Sequence, residues 1–106
     1  MSKIAELKQG MIEAFQPDKA SGVDATIQFD LSGDDGGQFY LDINDGNIEA
    51  HDGMADNPKT TIVASAEDYM KIATGELQAM TAVMSGKLKI KGDMGMAMKM
   101  QSMFKI

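Results

Sequence analysis

The sequence predicts an α+β domain with one sheet whose apolar face is covered by helices, and three observations carry that prediction. Hydrophobic spacing begins with a helical period, changes to strict alternation through consecutive short segments, and ends in a helical run. Gly-, Asn- and Asp-rich turns separate the alternating segments, as in strands joined by hairpins. With 106 residues, 43% of them apolar, the chain can close one core but hardly two, so a single domain over 1–106 is expected.

Ile4, Leu7 and Met11, with Ala14 and Phe15 a turn later, follow the spacing of an amphipathic helix. Pro17 should end it, because proline disfavours helical geometry in the residue before it. Beyond a turn-rich stretch to Gly22, Ala25, Ile27, Phe29 and Leu31 alternate with polar residues and predict a strand with one buried face. A turn over residues 32–37 leads to a second strand with Phe39, Leu41 and Ile43. Asn44, Asp45, Gly46 and Asn47 then form the strongest hairpin signal in the chain, since these residue types accept the positive φ of primed turns. A short third strand over 48–51 completes an antiparallel meander.

Residues 52–59 carry Gly53 and Pro58 and read as a crossing loop, and 60–64 is β-branched and strand-like. Ser65 and Asp68 form a capping signature for a helix that buries Tyr69, Ile72 and Ala73 and stops at Gly75. A second short helix, Leu77 to Met84, closes at Gly86. Leu88 and Ile90 alternate with Lys87, Lys89 and Lys91 in a fifth strand, whose lysines suit a sheet edge that must not pair further. Met94 to Phe104 is predicted helical: Asp93 suits an N-cap and no β-branched residue interrupts the run. Its methionines fall on two faces, Met94 and Met98 with Gln101 on one, Met96, Met100 and Met103 with Phe104 on the other. A helix apolar on so much of its circumference is expected to be sandwiched.

Composition excludes several functions. There is no Cys, so no disulfide framework, thiol nucleophile or cysteine zinc site, and the single His rules out a histidine-rich metal centre. Net charge is −6, with no Arg; 3 Lys face 12 acids over residues 1–58, and 7 Lys face 4 acids over 59–106. An acidic chain without arginine argues against nucleic acid. No apolar run approaches the roughly 18 to 20 residues of a membrane span, and the N-terminus lacks the apolar core of a signal peptide, so a cytoplasmic protein is expected.

Motifs for chemistry are equally thin. From Asp42 the calcium-loop template fails because Gly46 stands where a ligand is required and Asn47 where the sharp-turn glycine belongs, and from Asp30 it fails at that same glycine position. Residues 33–37 lack the ending of a phosphate-gripping loop. His51 has no catalytic partner readable from the sequence, and no serine sits in a nucleophile turn. The alternating methionines are soft donors of the kind copper prefers, but a helix scatters them and no His or Cys joins them. The expectation is no catalytic residue, no metal and no cofactor. What stands out is methionine: 11 in the chain, seven of them from Met80 to Met103, beside only six aromatic residues. Methionine suits walls that repack around varied guests.

The run from Gly86 to Gln101 (GKLKIKGDMGMAMKMQ) resembles the signature of the sterol carrier protein type-two domain family, in which a Gly-Lys-Leu-Lys-Ile strand enters a helix through Gly-x-Met-Gly. Phe39 to Gly46 (FYLDINDG) is similar to that family's aromatic second strand and turn, and Asp68 to Gly75 (DYMKIATG) to its helix ending in Thr-Gly. The resemblance covers nearly the whole chain in one order. It implies a five-stranded, mainly antiparallel sheet with helices over one face, an apolar tunnel between the layers, and non-catalytic binding of sterols, fatty acids, acyl-CoA esters, phospholipids or isoprenoids. Departures are Met96 and Met100, where the family more often has Leu, and a second strand without Trp. The ending Phe104, Lys105, Ile106 lacks the peroxisomal address.

Two functions from different classes follow as expectations. The first is a lipid-binding, transfer or presentation module. Its tunnel would be lined by Met80, Met84, Met94, Met98, Met100 and Phe104, with Phe29, Leu41 and Ile90 from the sheet and Gln101, carried over from the family pattern, at a polar end. Such a module is expected to be monomeric and to touch membranes only transiently. The second is an acidic, Met-rich interaction module that receives an amphipathic helix of a partner, which predicts exposed methionines.

Overall fold

The computed structural model describes residues 3–33 and 36–103. Helix α1 spans Lys3–Ala14 and is followed by a single turn of 3-10 helix at Pro17–Ala20. Strands β1 (Asp24–Ser32), β2 (Gly37–Asn44) and β3 (Asn47–Asp52) form the meander, and β4 (Thr60–Ser65) leads into helices α2 (Ala66–Ala73) and α3 (Ala79–Met84). Strand β5 (Leu88–Gly92) and helix α4 (Met94–Met103) end the described chain.

The local signals act as their chemistry requires. Asp45 and Gly46 both have positive φ, 45° and 86°, so the β2–β3 loop is a primed two-residue turn. The Ser65 side chain accepts a hydrogen bond from the Asp68 backbone N–H at 3.0 Å, which caps α2. The Asp93 carboxylate accepts from the Met96 N–H at 3.0 Å and caps α4. Gly92 has φ +89°, and a Cβ there would stand 2.7 Å from the Lys59 carbonyl, so only glycine fits where β5 turns into α4.

Strand order is β3-β2-β1-β4-β5, which puts β1 at the centre. Three pairings are antiparallel and β1–β4 is parallel, so the sheet is mixed, a detail that the meander pattern does not reveal. Strand β5 is an edge, and Lys89 and Lys91 are exposed on it. Register aligns Ile27 with Leu41 and Phe29 with both Phe39 and Ile62, and these side chains form the core face of the sheet. The rings of Phe29 and Phe39 stack at 4.8 Å, and Tyr69 of α2 meets Phe29 edge-on at 5.4 Å.

The parallel pair requires the chain to cross the sheet between β3 and β4, and one side chain holds that crossing. Gln28 points away from the helices yet is fully buried. Its Nε2 donates to the carbonyls of Phe39 and Gly53, each at 3.0 Å, and its Oε1 accepts from the Ala55 N–H at 2.7 Å. Residues 53–59 are thereby strapped across the outer face, with the Lys59 N–H bonded to the Thr26 carbonyl at 2.8 Å. A Gln28→Leu variant leaves two strap groups unpaired, and the expected loss in a urea titration is about 2–4 kcal/mol. A loss below about 1 kcal/mol would mean that the strap holds itself.

Helix α4 departs from the sequence expectation. It is not sandwiched: Ala97 and Met103 are buried and Met96 partly so, whereas Met94 and Met98 are exposed. A domain with one sheet and one helical layer can cover only one side of a helix, and small Ala97 brings that side close to the sheet.

Candidate functional site

Between α1, α2, the α2–α3 turn and the β4–β5 end of the sheet lies a cavity of about 650 Å³. Its size falls within the range of small-molecule sites. The floor is Ile62, Leu88 and Ile90 from the sheet. One wall is the face of α1 that carries Leu7, Gly10, Met11 and Ala14, and the opposite wall is Tyr69, Met70, Ile72 and Ala73 of α2. Leu77, Gln78, Ala79 and Met80 close the far side, and Ala97 of α4 contributes an end.

Small side chains explain why this space stays open. Gly10, Ala14, Ala73, Ala79 and Ala97 stand where a close-packed interior would place Leu or Ile. A Cβ added to Gly10 would meet nothing within 4 Å. Glycine inside a helix costs roughly 0.5–1 kcal/mol relative to alanine. Gly10→Ala is therefore expected to raise stability by about that amount in thermal unfolding; a lowered midpoint would mean that the open space belongs to something the chain must keep clear.

Of the residues the sequence places in a tunnel, Met80 and Ile90 are in this wall. Phe29 and Leu41 are fully buried in the core beneath it and do not line it. Met84, Met94 and Met98 stand outside the cavity, 84%, 50% and 57% exposed, because α3 and α4 turn those faces to solvent. Met100 and Gln101 belong to α4, but their side chains fall outside the described residues, as does Phe104 entirely. Sequence reasoning passed over α1 and Tyr69, Ala73 and Ala97, because it sought large soft side chains whereas the cavity is defined by small ones. Gly10, a glycine inside an amphipathic helical pattern with no turn to make, is the signal that points there.

Electrostatics at the site are simple. Glu6, exposed at the rim, is the one charged side chain among the described lining residues. Burial pushes the Tyr69 hydroxyl above the usual phenol range, so it remains protonated at neutral pH. On the opposite face of the sheet, Asp42, Glu49 and His51 bring one donor atom each within 4.8 Å of one another. His51 stacks on Tyr40 and its Nε2 lies 3.3 Å from Glu49. Exposed acidic groups of this kind are common on sheet surfaces, and this one lies away from the cavity. Among the described residues no helix is long and apolar enough to cross a membrane.

A mainly apolar cavity under helices on one face of a mixed five-stranded sheet defines the class of this domain. Residues 4–105 match the SCP-2 sterol transfer family, and the chain belongs to that family, whose domains bind and transfer lipids. It is 37% identical over 93 residues to hydroxysteroid dehydrogenase-like protein 2 from Bos taurus, a match that covers 86% of this chain and 22% of that protein. The chain thus spans about a fifth of the length of the curated relatives it matches. Among solved structures, the fold is similar to palmitated SCP2L2 from Aedes aegypti, with a TM-score of 0.73 at 24% identity over 96% of this chain and 93% of that one. It is also similar to part of the stereoselective inverting sec-alkylsulfatase from Pseudomonas sp., with a TM-score of 0.80 at 21% identity over 91% of this chain and 15% of the enzyme.

Proposed function

We propose that this chain holds one lipid molecule in the cavity between α1, α2 and the sheet, and carries it or presents it to an enzyme without itself catalysing a reaction. The observation that supports this most directly is the cavity of about 650 Å³ with a mainly apolar wall. A hydrocarbon chain there leaves water, and each buried CH₂ contributes about 0.8 kcal/mol. Met11, Met70 and Met80 allow the wall to adjust to chains of different shape. The chain works as one monomeric unit in the cytoplasm, needs no cofactor and touches membranes only to load and unload. The same fold in a palmitated domain from Aedes aegypti is in keeping with a guest that has a long hydrocarbon chain. Presentation to an enzyme is in keeping with relatives in which the matching region is about a fifth of a larger protein.

Titration with pyrene-labelled lipids tests the reading, with native mass spectrometry of gently purified protein alongside. Saturable binding at one lipid per chain is the expected result. No co-purifying lipid and no saturable binding would reject it.

A second reading has its own support: Met84, Met94 and Met98 are exposed on α3 and α4, as a surface that receives a partner's amphipathic helix requires. Limited oxidation separates the two. Lipid that slows sulfoxidation of Met70 and Met80 in the cavity wall while Met84 and Met98 stay fast favours the cavity, and sulfoxidation that lipid leaves unchanged at all four favours the partner surface.

A further inference from the structure

We propose that Tyr69 anchors the head of the bound lipid, and that this head is a neutral oxygen function, an alcohol or a carbonyl, in preference to a carboxylate or other anion. The inference rests on the lipid-binding reading above and specifies its ligand class.

Its first support is the state of the phenol. Tyr69 is 6% exposed and lines the cavity, and its ring is held edge-on against Phe29 at an interplanar angle of 79°. No protein group bonds its hydroxyl among the described residues, yet no side-chain polar atom that is sealed from solvent there lacks a partner. The hydroxyl is therefore not sealed off, and it belongs to a residue of the cavity wall. A buried tyrosine hydroxyl ordinarily finds a partner, and a guest in the cavity would supply one. Burial keeps the group protonated, so it offers an O–H donor together with acceptor lone pairs.

Charge supplies the second support. Among the described residues no Lys or His lines the cavity, and the charged residue that does is Glu6, which is negative. A carboxylate drawn into this wall would lose its hydration without gaining a cation, and Glu6 at the rim would repel it. An alcohol or carbonyl exchanges its bond to water for one bond to Tyr69 and carries no charge to desolvate. The chain's net charge of −6 opposes the approach of an anion in the same sense.

The test uses three pyrene-labelled guests with the same chain: a dodecanol, the corresponding dodecanoate, and dodecylpyrene with no head. At pH 8 the alcohol is expected to bind at least about tenfold more tightly than the dodecanoate. Tyr69→Phe, which keeps the ring against Phe29, is expected to weaken the alcohol about three- to tenfold, the worth of one hydrogen bond, and to leave dodecylpyrene unchanged. Tyr40 and Tyr69 are the only tyrosines, so a carbon label at the ring Cζ gives two resonances in the unmodified chain. The one that Tyr69→Phe removes should move with the alcohol and stay in place with dodecylpyrene. Equal or tighter binding of the dodecanoate overturns the neutral-head assignment. An unchanged preference for alcohol over dodecylpyrene in Tyr69→Phe, or a still Cζ resonance, overturns the role of Tyr69. Failure of all three guests to bind rejects the lipid-binding reading itself.

Discussion

Truncating Phe29 to alanine is expected to cost about 3–5 kcal/mol, the range for deleting a buried phenylalanine side chain. Phe29 is fully buried on the central strand, with Phe39 opposite it on β2 and Ile62 opposite it on β4. Its ring is stacked on Phe39 and meets the edge of Tyr69, so one deletion opens the core and removes the support of a cavity wall together. For a domain of this size the loss is a large part of a total stability of about 5–15 kcal/mol. At about 4–8 °C per kcal/mol the midpoint should fall by more than about 12 °C. A fall of only a few degrees would show that the Phe29–Phe39–Tyr69 cluster is not where the fold is held.

The second large effect is on binding and leaves stability nearly alone. Ala73 faces the cavity from α2 opposite α1, beside space that the fold does not fill. Ala73→Phe puts a ring into that space. Because Ala73 borders a void into which the ring can turn, the midpoint is expected to stay within a few degrees, whereas affinity for a pyrene-labelled lipid should drop at least about tenfold. The pairing of the two outcomes matters. Lost binding with lost stability would be trivial unfolding, and retained binding in a folded variant would place the lipid elsewhere, with the exposed methionines of α3 and α4 the next surface to test.

Elements were legible in the sequence wherever one local rule decided them. Alternation of Ala25, Ile27, Phe29 and Leu31 needs only the two-residue period of a strand, and the Asn44–Asn47 turn needs only the positive φ that Asp45 and Gly46 adopt. The Ser65 cap likewise depends on a contact three residues away. The parallel pairing of β1 with β4 was not legible, because it depends on the strap over residues 53–59 and on Gln28, whose four polar contacts lie up to 27 residues distant in sequence. A glutamine in an alternating strand reads as a solvent-facing residue, and only the tertiary crossing makes it a buried one.

The candidate site was legible in kind and only partly in place. The family resemblance located the interior between helices and sheet, and Met80 and Ile90 stand in the cavity wall. The methionine surplus pointed mainly to α3 and α4, but a hydrophobic side chain chosen by composition says nothing of which side of its helix meets the sheet. Met84 and Met98 turn outward because Ala82 and Ala97, smaller and on the inner faces, set the close approach. Cavities are made by the side chains that are small, so Gly10, Ala14 and Ala73 carried the information that the conspicuous residues did not.

On the proposed function, the space between α1, α2 and the β4–β5 end of the sheet holds the lipid. The most direct measurement is native mass spectrometry of the gently purified chain beside its Ala73→Phe variant, each incubated with the same pyrene-labelled alcohol. One lipid per chain in the unmodified protein and none in the folded variant is the predicted result. Equal lipid occupancy in both, or none in either, would contradict it.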